Sequence, residues 1–258
     1  MSTARAPDWL RRLAACPPAD GEVPPGFERL LDERYCLFFG PNRIFTNVYP
    51  FRLDDVEGAL EEIRMAARER GVTRLDWWIG PDAEPPDLAA RLRALGLQED
   101  PPTAAMALRA EPPAGGDRVE ARPVATIDEL RVAAEVAHHA FGDRAERLHA
   151  VLENLDDEWS NREGRESRTF LAFLDGEPVG AARSVYLVSP VVLLVSGSVL
   201  ESARGQGAYR ALVRTRWDDA VARGTPVLLV FAGPMSRPIL KRVGFGPLFE
   251  LRILGDEV

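Results

Sequence analysis

Ser196–Gly197–Ser198–Val199–Leu200–Glu201–Ser202–Ala203–Arg204–Gly205–Gln206–Gly207–Ala208–Tyr209–Arg210–Ala211–Leu212–Val213 is the stretch whose reading decides the fold. An apolar strand pattern, Val191 to Leu200, runs into two glycines bracketing one residue and then into an amphipathic helix pattern beginning at Gly207 or Ala208. The first turn of a helix leaves backbone N–H groups without intrahelical partners, and the helix dipole adds partial positive charge there. Glycines at Gly205 and Gly207 allow close approach of an anion to those groups. Two glycines also suit a tight strand-to-helix turn that binds nothing, and the surroundings must decide between the two.

A chain of 258 residues suffices for one large domain or two ordinary ones, and 46% hydrophobic with 28% charged residues describes a soluble globular protein with a real core. The net charge of −8 argues against a nucleic-acid surface and suits a small-molecule or weakly basic partner. Lys241 is the only lysine, so it alone could form a Schiff base. Cys16 and Cys36 lack metal-binding or redox spacing, so neither a metal nor a disulfide is expected, and a reduced cytoplasmic setting follows. The most apolar stretch, residues 188–200, is interrupted by Ser189, Pro190, Ser196 and Gly197 and is too short to span a bilayer, so no membrane association is expected.

Upstream, residues 7–16 read as a short helix, and 35–39 with 44–51 as a hairpin around Gly40–Pro41–Asn42. Asp54 or Asp55 can cap a helix with the stripe Val56, Ala59, Leu60, Ile63 and Ala67, ended by Gly71. A strand at 75–79, a helix at 86–95 and a strand at 103–108 follow. Residues 111–118 form the clearest linker, dividing a first domain, 1–110, from a second, 119–258.

In the second domain, 119–124 reads as a strand, and Thr126 with Glu129 as a capping box for a helix with the stripe Ile127, Leu130, Ala134, Ala137 and Phe141. One helix is expected over 145–159, followed by polar residues to Glu166. Strands at 169–174 and 178–187 join through Asp175–Gly176, a hairpin signal. The helix after the glycines carries Tyr209, Leu212, Val213, Trp217, Ala220 and Val221. A buried strand at 227–231, a short helix at 237–243 and a last strand at 249–254 complete the chain. Arg70–Gly71, eight residues and Gly80–Pro81 match Arg223–Gly224, eight residues and Gly233–Pro234, a pseudo-repeat of helix, strand, turn and helix.

From Arg204–Gly205–Gln206–Gly207–Ala208–Tyr209, the strand 227–231, the helix 237–243 and Gly244–Phe245, the second domain resembles the GCN5-related N-acetyltransferase (GNAT) superfamily, over roughly 119–254. The resemblance implies an α/β fold with a mixed, mostly antiparallel sheet flanked by helices, splayed open between the strands 191–200 and 227–231. It also implies acetyl-CoA, or another acyl-CoA, as cosubstrate. The pyrophosphate would rest on the backbone of Arg204, Gly205, Gln206, Gly207, Ala208 and Tyr209, and the pantetheine would pair near Ser198, Val199 and Leu200. The first domain resembles the later part of the same fold in degenerate form, because Arg52–Leu53–Asp54–Asp55 puts two carboxylates where a phosphate would go.

Three positions depart from the family pattern. Tyr209 replaces a Gly or Ala and begins an apolar stripe, which favours core packing for its side chain; Glu201 replaces a frequent proline. Leu240 stands where many members carry the tyrosine that protonates the departing thiolate. For a base, His139 lies one turn after Glu135, a pair that is also consistent with an ordinary solvated contact. His138 falls on the apolar side of the same helix and is expected to be a buried, hydrogen-bonded residue. The expected activity is acyl transfer to an amine of a small molecule or protein by direct attack on the thioester. The alternative is a non-catalytic acyl-CoA-binding or scaffold protein of the same fold. A P-loop nucleotide enzyme is excluded by the lack of a Lys–Ser/Thr pair after the glycines.

Overall fold

A computed structural model describes residues 6–43, 45–116, 118–142, 145–160, 167–187 and 190–258. The expected positions of Ile44, Val188, Ser189 and the polar residues 161–166 lie outside them. In chain order the elements are α1 (Asp8–Ala15), β1 (Glu28–Leu31), β2 (Tyr35–Phe39), β3 (Thr46–Pro50), α2 (Val56–Arg68), β4 (Arg74–Ile79), α3 (Leu88–Ala94), β5 (Gln98–Glu99) and β6 (Thr103–Leu108). They continue with β7 (Val119–Pro123), α4 (Ile127–Phe141), α5 (Ala145–Glu153), α6 (Leu155–Ser160), β8 (Ser167–Leu174), β9 (Glu177–Tyr186), β10 (Val191–Val199), α7 (Ala208–Ala222), β11 (Val227–Ala232), α8 (Arg237–Val243) and β12 (Gly246–Glu257). Strand pairing is mixed and mostly antiparallel; β3 with β4 and β10 with β11 pair in parallel.

The chain forms two compact units, one comprising Met1–Met106, Phe231–Leu240 and Gly246–Val258, the other Ala107–Val230 and Lys241–Phe245. A division at residues 111–118 would leave the last strand with the second half. The strand instead pairs antiparallel with β4, from Arg252 opposite Ile79 to Glu257 opposite Arg74, and so completes the first unit. Arg64 of α2 holds it there, donating from Nη2 to Asp256 Oδ1 at 2.7 Å and from Nε to Oδ2 at 3.0 Å, with Asp256 only 2% exposed. β12 is also longer than its apolar pattern suggests by three residues at each end, and at its C-terminal end pairing with β4 carries it through Gly255–Asp256–Glu257.

In the first unit the order is β1-β2-β3-β4-β12, with β5 on β12. The α2 stripe buries Val56, Ala59, Leu60, Ile63 and Ala67, as its spacing requires, in a core with Leu37, Phe39, Val48 and Trp77. A smaller cluster of Cys16, Cys36 and Tyr49 packs with Phe51 and Trp78, and both thiols are free.

In the second unit the order is β7-β8-β9-β10-β11. Asp175 (φ 52°) and Gly176 (φ 89°) turn the β8–β9 hairpin. α7 packs with Phe170, Ala172, Val179 and Ala182, whereas α4 packs with Leu171 and Ala181, so alternating strand residues place the helices on opposite faces. Thr126 caps α4 by accepting from Glu129 N–H at 3.2 Å. The buried residues of α4 are Leu130, Ala133 and Val136, and Phe141 is 54% exposed, so the stripe is rotated from the expected one and leaves its last member in solvent. The expected helix over 145–159 is two: Asn154 ends α5 by donating to Val151 O and opens α6 by accepting from Glu158 N–H at 2.9 Å.

Residues 111–116 are fastened to α7 rather than slack. Arg214 donates to Glu111 at 2.6 Å and to Pro112 O at 3.3 Å. Gly115 lies so close to the helix that a Cβ on it would sit 2.9 Å from Ala211 Cβ and 3.1 Å from its Cα.

Two stability predictions follow from these contacts. Asp256→Ala, which leaves the Arg64 guanidinium without its partner, should destabilise the first unit by about 3 kcal/mol in chemical denaturation. Gly115→Val should cost about 1–3 kcal/mol through overpacking against α7, read as a lowered denaturation midpoint of the second unit.

Candidate functional site: the β10–α7 junction

β10 and β11 run parallel from Val191 opposite Val227 to Leu194 opposite Val230, and there their pairing ends, while β10 continues to Val199. On its other side β10 pairs with β9 throughout, except for a break in register between Val195 and Ser198. Ser196 there adopts φ 51°, and Ser196–Gly197 form a bulge. Leu200 N–H donates to Val179 O at 2.9 Å and therefore points toward β9. By the alternation of an antiparallel ladder, the backbone groups of Val199 point the opposite way, to the edge that β11 leaves open. Ser198 is buried and donates from Oγ to Ala181 O at 3.3 Å.

After Leu200 a 3₁₀ turn, Glu201–Ala203, and Gly205 (φ 80°) and Gly207 (φ 97°) redirect the chain into α7. Gln206 braces the turn with N–H to Ala203 O at 3.4 Å and Nε2 to Ser202 O at 3.1 Å. No side chain caps α7 and no acidic residue lies in its first turn. Arg204, Gly205, Gln206 and Arg210 are exposed around it, and space is open within 4 Å of any Cβ on Gly205. At Gly207 both the left-handed backbone and the neighbouring Gly116, whose N lies 3.2 Å from the Cβ position, favour glycine. Free first-turn N–H groups, an open approach and flanking arginines fit a phosphate group.

The corresponding junction of the first unit is built oppositely. Asp55 accepts from Gly58 N–H at 3.0 Å and so closes the N-terminus of α2, whose first turn also carries Glu57. The hollow beside it, about 320 Å³, is lined by Asp54, Glu84 and Arg91, with Arg52 drawn to Asp54 at 3.3 Å. An anion meets carboxylates there.

The remaining expected residues fall as follows. Glu135 and His139 are one turn apart on α4 with no ion pair between them among the described residues; His139 is exposed, its ring 5.3 Å from that of His138. His138 is half-buried, and its buried Nδ1 lacks the hydrogen bond expected of it. Leu240 is fully buried in α8. Among the described residues no cluster of three or more His, Cys, Asp or Glu is placed to hold a metal, and no helix is long and apolar enough to cross a membrane.

Sequence reasoning missed Arg216. The α7 stripe is rotated: Val221 is 50% exposed, whereas Arg216 is 1% exposed among Leu212, Val213 and Ala220. Arg216 donates from Nε to Leu212 O at 3.0 Å and from Nη1 to Arg183 O at 3.5 Å, and its Nη2 has no partner. Burial pushes its guanidinium down to about 10, opposed by the Tyr209 phenol beside it. A charged residue inside an apolar stripe gives no periodic signal, so only its proximity in sequence to the glycine turn marked it.

The strand, glycine turn and helix of this junction lie within a stretch that is similar to known proteins. The acetyltransferase (GNAT) family matches residues 135–245. No curated protein matches the chain. Among solved structures, a GCN5-related N-acetyltransferase from Kribbella flavida superposes with a TM-score of 0.69 at 19% identity, covering 95% of both chains. A tandem GNAT protein from the clavulanic acid biosynthesis pathway gives 0.59 at 16% identity, over 98% of this chain and 89% of that one. A GCN5-related N-acetyltransferase from Sphaerobacter thermophilus gives 0.61 at 18%, over 88% and 82%. These likenesses carry the fold, and over residues 135–245 the chain is similar to the acetyltransferase (GNAT) family.

Proposed function

We propose that the protein transfers an acetyl or other short acyl group from acyl-CoA to an amine of a small molecule or protein. The observation that carries this reading is the uncapped, acid-free N-terminus of α7 behind two left-handed glycines. Acyl-CoA supplies the activated thioester carbonyl. The backbone of Arg204, Gly205, Gln206, Gly207, Ala208 and Tyr209 holds its pyrophosphate by N–H donation and helix dipole. Of Ser198, Val199 and Leu200, Val199 offers the pantetheine a free edge, since Leu200 N–H is committed to Val179. Glu135 and His139 are kept as the groups to take the amine's proton, with His139 open to water. Asp55 denies α2 the same use, so one chain has one acyl-CoA site.

A second reading, acyl-CoA binding without turnover, draws on buried Leu240 and on the lack of an ion pair between Glu135 and His139.

Isothermal titration should give one acetyl-CoA per chain, and Gly207→Glu should abolish binding by placing a carboxylate in the phosphate seat. Arg204→Glu, at an exposed position that leaves the backbone unstrained, should weaken it at least tenfold, about 1.4 kcal/mol; unchanged affinity in both variants would mean the phosphate lies elsewhere. Thiol release from acetyl-CoA with a panel of amines separates the two readings: turnover excludes the non-catalytic one, and tight binding with no release across the panel selects it.

A further inference from the structure

Arg216 is a buried cation without a carboxylate. Leaving a guanidinium N–H unpaired in the interior is costly, and such a group calls for an explanation in function. Its surroundings are specific. A Cβ on Gly197, in the β10 bulge, would lie 3.7 Å from Arg216 Nη2, 3.7 Å from Tyr209 Oη and 3.2 Å from Tyr209 Cε2. The phenol and the guanidinium therefore converge on one point of the bulge, and the missing side chain at Gly197 leaves that point free. Tyr209 and Arg216 stand two turns apart on α7, on the face that packs against β9 and β10.

β9 and β10 pack against this part of α7. From β9 comes the Arg183 carbonyl, with the Arg183 guanidinium turned to Glu158 at 2.6 Å and Ser167 at 2.8 Å. β9 also brings Ser184, whose buried Oγ has no partner. β10 contributes Ser196 and Ser198, neither of which is charged. Asp219, one turn beyond Arg216 on α7, is held by Arg168, Arg223 and Tyr186. Burial raises the Tyr209 phenol above its ordinary value, and Arg216 pulls it back by favouring the phenolate.

We propose that Tyr209 is the proton donor to the departing thiolate and that Arg216 is the positioning residue that holds its hydroxyl at the bulge and stabilises the phenolate left behind. The assignment rests on the acyl-CoA reading above. With the pyrophosphate at 204–209 and the pantetheine along 200–198, the next positions up β10 are Gly197 and Ser196, where the phenol points. The amine nitrogen forms the new C–N bond and gives up its extra proton toward Glu135 and His139, the groups assigned to it above, as the C–S bond breaks and sulfur keeps the electron pair. Tyr209 Oη gives its proton to that sulfur, and water returns one to the phenolate. The donor thus comes from the first turn of α7, in place of the α8 position occupied by Leu240.

The test uses the full chain labelled at the tyrosine ring carbon bearing the hydroxyl, with the Tyr209 NMR signal identified by its loss in Tyr209→Phe. Without any ligand, Tyr209 should titrate at higher pH in Arg216→Met than in wild type, because the removed cation favours the phenolate; Arg216→Lys should restore the wild-type value. An unchanged titration in Arg216→Met would overturn the positioning role. With acetyl-CoA and an accepted amine, Tyr209→Phe, which keeps the backbone N–H and the ring, should retain KM and acetyl-CoA affinity while kcat falls about 100-fold. Wild-type kcat in Tyr209→Phe would overturn the donor assignment alone. Absence of acetyl-CoA binding by the wild type would overturn the acyl-CoA reading and this assignment with it.

Discussion

The parallel pairing of β10 with β11 is the constraint from which the site follows. Parallel neighbours cannot be joined by a tight turn, so the chain must cross over through a helix, and that helix begins where the first strand ends. The free N–H groups of α7 therefore fall beside the last residues of β10, next to the edge where the pairing with β11 has stopped. An uncapped helix N-terminus and an open strand edge are thus produced together by one topological requirement. The bulge at Ser196–Gly197 then adjusts which backbone groups face the opening.

The same strand–helix–strand unit occurs in the first half, where β3 and β4 are parallel neighbours joined by α2. Gly71 and Gly224 end the two crossover helices with nearly the same backbone, φ 69° and 72°. The halves differ at the helix start. Asp55 supplies a cap to α2, which stabilises a helix by about 1 kcal/mol and uses the donors an anion would need. α7 forgoes that cap. The chain's net charge of −8 is thus less informative than where its carboxylates sit, since they gather at the start of α2 and are missing from the first turn of α7.

Local signals carried most of the fold. The Asp175–Gly176 hairpin, the Asp55 cap and the α2 stripe are all set by neighbours within a few residues, and each was legible. Two features were not, because they depend on contacts distant in sequence. The pairing of β12 with β4 joins positions about 180 residues apart, and its last three residues, Gly255–Asp256–Glu257, have no strand pattern of their own. The fastening of 111–116 depends on Gly115 meeting Ala211, which composition alone reads as flexible linker. At the site, the glycine turn was plain, whereas the relation of Glu135 and His139 turned on side-chain directions that spacing does not fix.

Arg216 shows why the buried face of α7 was hidden. Hydrophobic periodicity assigns apolar residues to the interior, so it placed Val221 inside and left Arg216 out, the reverse of their positions in α7. The burial is intelligible only with Gly197 and Tyr209. A side chain at 197 would press on the Tyr209 ring at 3.2 Å and lie 3.7 Å from the Arg216 guanidinium. Tyr209 supplies a ring whose hydroxyl can share the guanidinium's field, while Gly197 leaves the point where they converge free of a side chain. These three residues therefore act as one arrangement, in which a cation that would destabilise an ordinary core lies beside the only titratable hydroxyl aimed at the bulge among the described residues.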